Sequence, residues 1–111
     1  MSNYKSVNDV YPVGETKIWY QTLMFWETKK FHPEVKVADL EQTHTLLGAV
    51  AMTDLEEIFY KMQGEVWSPN GEARNLITRL GLVHTSMSVG DVVEMGGKFF
   101  VCDVCGFTEI Q

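Results

Sequence analysis

The residues with the most obvious chemical potential are two cysteines near the end of the chain, Cys102 and Cys105, followed by Gly106. Two thiolates at this spacing on a tight turn could grip one metal ion, in the manner of a zinc knuckle. A closed zinc site needs four ligands, and the chain has no second cysteine pair. His84, His44 or His32 would have to complete it, or a second subunit would. The structural reading is that both thiols are small apolar fillers in a strand-rich region. A redox role would place the pair at the start of a helix in a thioredoxin-like unit, which the flanking residues do not suggest. A disulfide across so short a loop would constrain almost nothing.

A second group is His84, Thr85, Ser86 and Asp91, which has the residue types of a base, a nucleophile and an orienting acid. Nearness in sequence is not triad geometry, because such groups converge from separate elements. Ser and Asp beside a strand commonly satisfy turn backbone instead. Asp91 and Asp103 fall on opposite limbs of a predicted hairpin, and a carboxylate pair can do acid–base work if its pKa values are split. The structural alternative is that each caps a turn or meets Lys98 or Arg79. The loop Asn70-Gly71-Glu72 lacks the glycines and lysine of a phosphate cradle.

Trp19, Tyr20, Phe25, Trp26, Lys29, Lys30 and Phe31 interleave aromatic and basic groups, as a surface for single-stranded nucleic acid would. The chain as a whole opposes that use. Fifteen acidic residues against nine basic ones give a net charge of −6. Phosphate-driven binders usually carry a basic excess. Glu56, Glu57, Glu65, Glu72 and Glu94 read as a solvated face, or more sharply as an acidic docking surface for a basic partner. Trp67 is the natural aromatic anchor for such an interface.

These residues need elements to hold them. A chain of 111 residues, 45% hydrophobic and 22% charged, suits one domain. Residues 1–16 read as a weakly ordered lead-in and 17–111 as a single domain. No apolar run is long enough to cross a bilayer. The N-terminus has no signal-peptide core, so a cytoplasmic protein is expected. Residues 17–26 and 43–52 read as strands. The stretch 27–42 connects them, with a short helical turn around Val37–Glu41. Thr53-Asp54-Leu55-Glu56 fits a capping box, followed by an apolar stripe of Leu55, Ile58, Phe59 and Met62 and a left-handed cap at Gly64. A second helix is capped by Ser68, with Pro69 in its first turn and Trp67 stapled against it. It carries Ala73, Leu76, Ile77 and Leu80, and closes at Gly81-Leu82. Residues 87–95 and 98–104 flank Gly96-Gly97, a two-residue hairpin signal. Gly106 turns into a last strand, Phe107–Ile110. The expected fold is α+β: a mainly antiparallel sheet of about five strands, two central helices on one face, order β-β-α-α-β-β-β.

The segment from Leu47 to Ile110, somewhat over half the chain, resembles the YodL-like domain group, small proteins and modules often found on phages, plasmids and conjugative elements. The resemblance rests on the acidic helix Asp54-Leu55-Glu56-Glu57-Ile58-Phe59 and on Ser86-Met87-Ser88-Val89-Gly90-Asp91-Val92-Val93. It continues in Phe99-Phe100-Val101, Asp103 and Gly106-Phe107-Thr108-Glu109-Ile110. Cys102 and Cys105 stand where the group's pattern has apolar residues, and Val104 stands at its Ser. Trp67 to Arg74 forms a longer connection than the group shows. The resemblance implies a mobile-element accessory protein that meets a host protein, and no chemistry.

The expectation is therefore a non-enzymatic protein, without a cofactor, that binds a host or element protein through Trp67, Glu56, Glu57, Glu72, Asp91 and Asp103. A second copy of the chain is left open as a partner. The alternatives are a nucleic-acid binder using residues 17–31 and a zinc-stabilised domain built on Cys102, Cys105 and His84.

Overall fold

A computed structural model describes residues 3–28 and 35–111. Its frame is one five-stranded antiparallel sheet of β1 (Val13–Gln21), β2 (His44–Val50), β3 (Val92–Met95), β4 (Lys98–Asp103) and β5 (Gly106–Ile110), in the order β2-β1-β3-β4-β5. The helices are short: α1 (Leu23–Thr28), α2 (Leu40–Thr43), α3 (Leu55–Lys61), α4 (Gly64–Trp67) and α5 (Arg74–Arg79). The fold is α+β, as expected. None of these helices is long and apolar enough to cross a membrane.

The turns follow directly from residue type. Gly96 and Gly97 have φ of 61° and 77°, the doubly left-handed geometry that matches the twist of a two-residue hairpin. α5 ends as its sequence predicts: the Leu82 N–H bonds Ile77 O and the Gly81 N–H bonds Thr78 O, with Gly81 at φ 72°. This is the paired bonding of a Schellman close, and Leu82 folds back into the core.

The core lies between one sheet face and α3, α4 and α5. Ile18, Tyr20, Val93 and Cys102 from the sheet meet Ile58, Met62, Trp67, Leu76 and Ile77. The N-terminal segment joins them, which corrects the weakly ordered lead-in. Val7 is fully buried in a 3-10 turn (Val7–Asp9), and β1 already begins at Val13. Val7 is admitted by Gly48, where a Cβ would stand 2.5 Å from its side chain.

Other expectations need correction. The run 17–26 is not one strand. β1 stops at Gln21, and Leu23-Met24-Phe25-Trp26 turns into α1 because the Thr22 hydroxyl accepts from the Phe25 N–H. The cap of α3 is Asp54, not Thr53: its carboxylate accepts from the Glu56 N–H at 3.1 Å. Gly64 does not close that helix; it opens α4. Three short helices therefore stand where two were expected. Ser68 caps from a distance, its hydroxyl accepting from the Ala73 N–H, and α5 starts only at Arg74. Residues 87–91 are not strand: the Asp91 N–H bonds Ser88 O across a turn at Val89-Gly90, so β3 is only Val92–Met95.

Candidate functional site

The His84–Asp91 loop forms a sealed polar knot at the end of β1. Burial pushes the Asp91 carboxyl up to about 6, against the hydrogen bonds and the nearby His84, which pull it down. One carboxylate oxygen accepts from the Gln21 N–H at 2.9 Å, and the other from the Ser88 N–H at 2.8 Å. Gln21 also donates its side-chain amide to Val89 O at 2.8 Å. His44 Nε2 donates to Gly90 O at 2.7 Å. The Ser86 hydroxyl accepts from the Gly64 N–H, tying the loop to α4. Tyr20 donates its hydroxyl to Thr85 O at 2.8 Å.

The catalytic possibility can now be judged on geometry. His84 Nδ1 lies 2.9 Å from Ser86 O, and a carbonyl only accepts, so Nδ1 carries a proton. In the neutral ring Nε2 then faces the Ser88 hydroxyl at 3.2 Å. The group expected from the sequence offers the hydroxyls of Thr85 and Ser86; the hydroxyl beside the imidazole Nε2 is that of Ser88. Asp91 does not orient His84. Its oxygens are taken by Gln21 and by Ser88 itself. The space among Tyr20, Gln21, Trp26, Val83, His84 and Asp91 has about 0 Å³ open to a water molecule. The knot joins β1, β2, α4 and the loop.

Several expected interface residues are structural. Trp67 is 0% exposed, and its indole donates to Thr85 O at 3.0 Å while its ring stacks on Tyr4. It is a core residue and cannot anchor a partner. Asp91 is inside the knot, so it is not an interaction residue and cannot pair with the exposed Asp103, whose carboxylate accepts from the Val104 N–H. Glu72 is half-buried and caps the Asn70 N–H. Glu56 and Glu57 are exposed, and Glu57 is ion-paired with Lys61 at 3.2 Å.

The cysteines point apart in environment. Cys102 is buried and its thiol is pushed up to about 11, chiefly by that burial, with Asp91 and Asp103 adding to it. Cys105 is exposed on the two-residue turn between β4 and β5. Among the described residues no three His, Cys, Asp or Glu side chains gather as a metal site. In the aromatic stretch, Tyr20 is buried and the Trp19 indole donates to Glu94 at 3.1 Å. A carboxylate there opposes a phosphate. Lys29, Lys30, Phe31 and His32 lie outside the described residues.

Larger clefts lie beside Ser68–Arg74 and between Trp19 and Leu40, of about 440 and 310 Å³, and a smaller one with more apolar walls lies at the corner between α3 and β4–β5. A groove of about 190 Å³ lies between Phe59 on α3 and Cys102, Val104 and Phe107, with Glu56 and Asp103 on its rim. Phe59 and Phe107 meet edge to face at 6.4 Å. Phe59 was expected inside. Ile58 and the capping Met62 take the buried side of α3, which leaves Phe59 39% exposed, and Val104 is 74% exposed. No protein-family model matches the chain, and no curated protein or solved structure matches it.

Proposed function

We propose that this chain is a non-enzymatic accessory protein of the YodL-like, mobile-element kind that acts by binding another protein, and that the contact is made at the α3–β4–β5 corner. The supporting observation is the groove itself: apolar walls, open to solvent, with acidic residues at its lip. Exposed aromatic and aliphatic groups with a polar rim are the usual anatomy of a binding patch. The candidate moves from Trp67 to Phe59 and Val104, while Glu56 and Asp103 keep the electrostatic role. Cytoplasmic residence and a host protein as the target belong to the same reading.

The test is an affinity capture with three baits: the wild-type chain, a Phe59→Lys/Val104→Lys variant, and a Val13→Lys control. Val13 is 72% exposed on β1, with β3 and β4 between it and β5. The expected result is a partner held by wild type and control, lost from the double variant, and rebinding wild type after purification. Thermal melts check that all three baits are folded. Identical capture by all three refutes the assignment of the corner.

A further inference from the structure

The two edges of the sheet are treated differently. β2, at one edge, is guarded by the N-terminal segment, whose Asn8 side-chain amide donates to Ala49 O at 2.8 Å. β5 is the other edge. The two-residue turn pairs Asp103 with Gly106, and an antiparallel ladder alternates from there. Gly106, Thr108 and Ile110 aim their backbone groups at β4, so Phe107, Glu109 and Gln111 aim theirs outward. The Val37 N–H takes Gln111 O at 3.5 Å, as that alternation requires. Among the described residues no backbone group takes those of Phe107 and Glu109 outside the β4 ladder. An open edge is a template for another strand unless something protects it.

We infer that β5 accepts an extended basic segment of a partner protein as a sixth strand, with one apolar side chain seated in the Phe59–Val104–Phe107 groove. This rests on the protein-binding reading above and specifies the partner's chemistry. Side chains of an added strand share a face with the residues they oppose. The residue opposite Phe107 therefore faces α3 and the groove. The residue two positions away opposes Glu109 on that same face. The fitting partner carries an apolar residue there and Lys or Arg two positions from it. Glu56, Asp103 and Glu109 are all exposed around this corner; Lys61 is paired with Glu57, and the exposed Lys36 and Lys98 lie toward the Gln111 end of β5, away from the groove. A second copy of the chain would bring these carboxylates against their own duplicates, which works against self-pairing.

The test uses the full chain, isotopically labelled, titrated with the blocked peptide acetyl-Thr-Lys-Thr-Leu-Thr-Lys-Thr-amide. Its Leu and both Lys fall on one face. The expected result is saturable movement of the Phe107 and Glu109 amide resonances. Binding should weaken about tenfold or more when Glu replaces both Lys, a loss of about 1.4 kcal/mol. A peptide N-methylated on its alternate, β5-facing amides should not bind. Glu109→Pro, which removes an outward donor but no β4 bond, should bind at least tenfold more weakly than Glu109→Gln. The N-methylated peptide carries the test if the proline variant fails to fold. No saturation by about 1 mM peptide, or equal binding of the Glu peptide, overturns the inference. So does a peptide-independent dimer whose β5 resonances shift on dilution. If the peptide fails while the Phe59/Val104 variant still loses its captured partner, the added strand falls alone and protein binding at the corner stands.

Discussion

Replacing Asp91 with Asn tests the polar knot quantitatively. The folded state holds this carboxyl at about 6 against an ordinary 3.8, because burial disfavours its charged form. The difference is worth about 3 kcal/mol, at 1.36 kcal/mol for each pH unit. Its sign is unusual for a carboxylate. Between those two values the native state holds the proton more tightly than the unfolded chain does. The contribution is fully present below the ordinary value, is lost as pH rises toward 6, and is flat above that. Asparagine keeps an acceptor for the Gln21 N–H but turns an amide nitrogen toward the Ser88 N–H, which costs about 1–3 kcal/mol at every pH. Wild type should therefore be the more stable protein near pH 4. Its advantage should shrink by about 3 kcal/mol by pH 7.5 and vanish or reverse there. Urea unfolding followed by tryptophan fluorescence at several pH values measures the gap, and subtracting the variant removes most of the other titrating groups. A gap that stays constant, or one that widens as pH rises, would refute the description of Asp91 as a carboxylate stressed by burial.

Two further outcomes follow from the same geometry. Gly90→Ala should cost more stability than Gly81→Ala. Both glycines have positive φ, but a Cβ at Gly90 would stand 2.5 Å from the Gln21 side-chain oxygen, whereas nothing lies within 4 Å at Gly81. Chemical denaturation should give about 1 kcal/mol at Gly81 and about 2–3 kcal/mol at Gly90; equal costs would contradict the close approach. A thiol reagent at neutral pH should label Cys105 quickly and Cys102 only as the protein unfolds, because Cys102 is buried and its thiolate disfavoured. Cys105→Ser should abolish the fast phase, and two equally fast phases would contradict it.

The parts of the fold legible in the chain are those governed by local chemistry. Gly96-Gly97 and Gly81-Leu82 read correctly because a positive φ strongly favours glycine. The α+β class followed from clustered apolar runs separated by glycine and capping residues. Thr22 was the missed signal: a hydroxyl ahead of Leu23-Met24-Phe25-Trp26 starts a helical turn, yet the aromatic run reads as strand. Gly90-Asp91 carried a turn signal that the apolar alternation around it obscured. The site was less legible for a different reason. The stripe Leu55, Ile58, Phe59 and Met62 on α3 and its C-cap cannot all face the sheet, and only packing decides that Phe59 is the one left out. Trp67 has the residue type of an anchor, and only burial distinguishes an anchor from a core filler. Ser88 lies beside His84 because the loop curls, a fact with no trace in spacing.

The strand order has a consequence for synthesis. Ribosomes make this chain from the β1 end, but β1 is flanked in the sheet by β2 on one side and β3 on the other. Trp19 of β1 and Glu94 of β3, joined by a hydrogen bond, are 75 residues apart. Until β3 has been made, the border of β1 at Lys17–Trp19 lacks its partner strand. The final segments then arrive as a meander with two-residue turns, which needs little loop closure to form. The newborn chain thus carries one half-covered strand, paired with β2 on one side while the other side waits for β3.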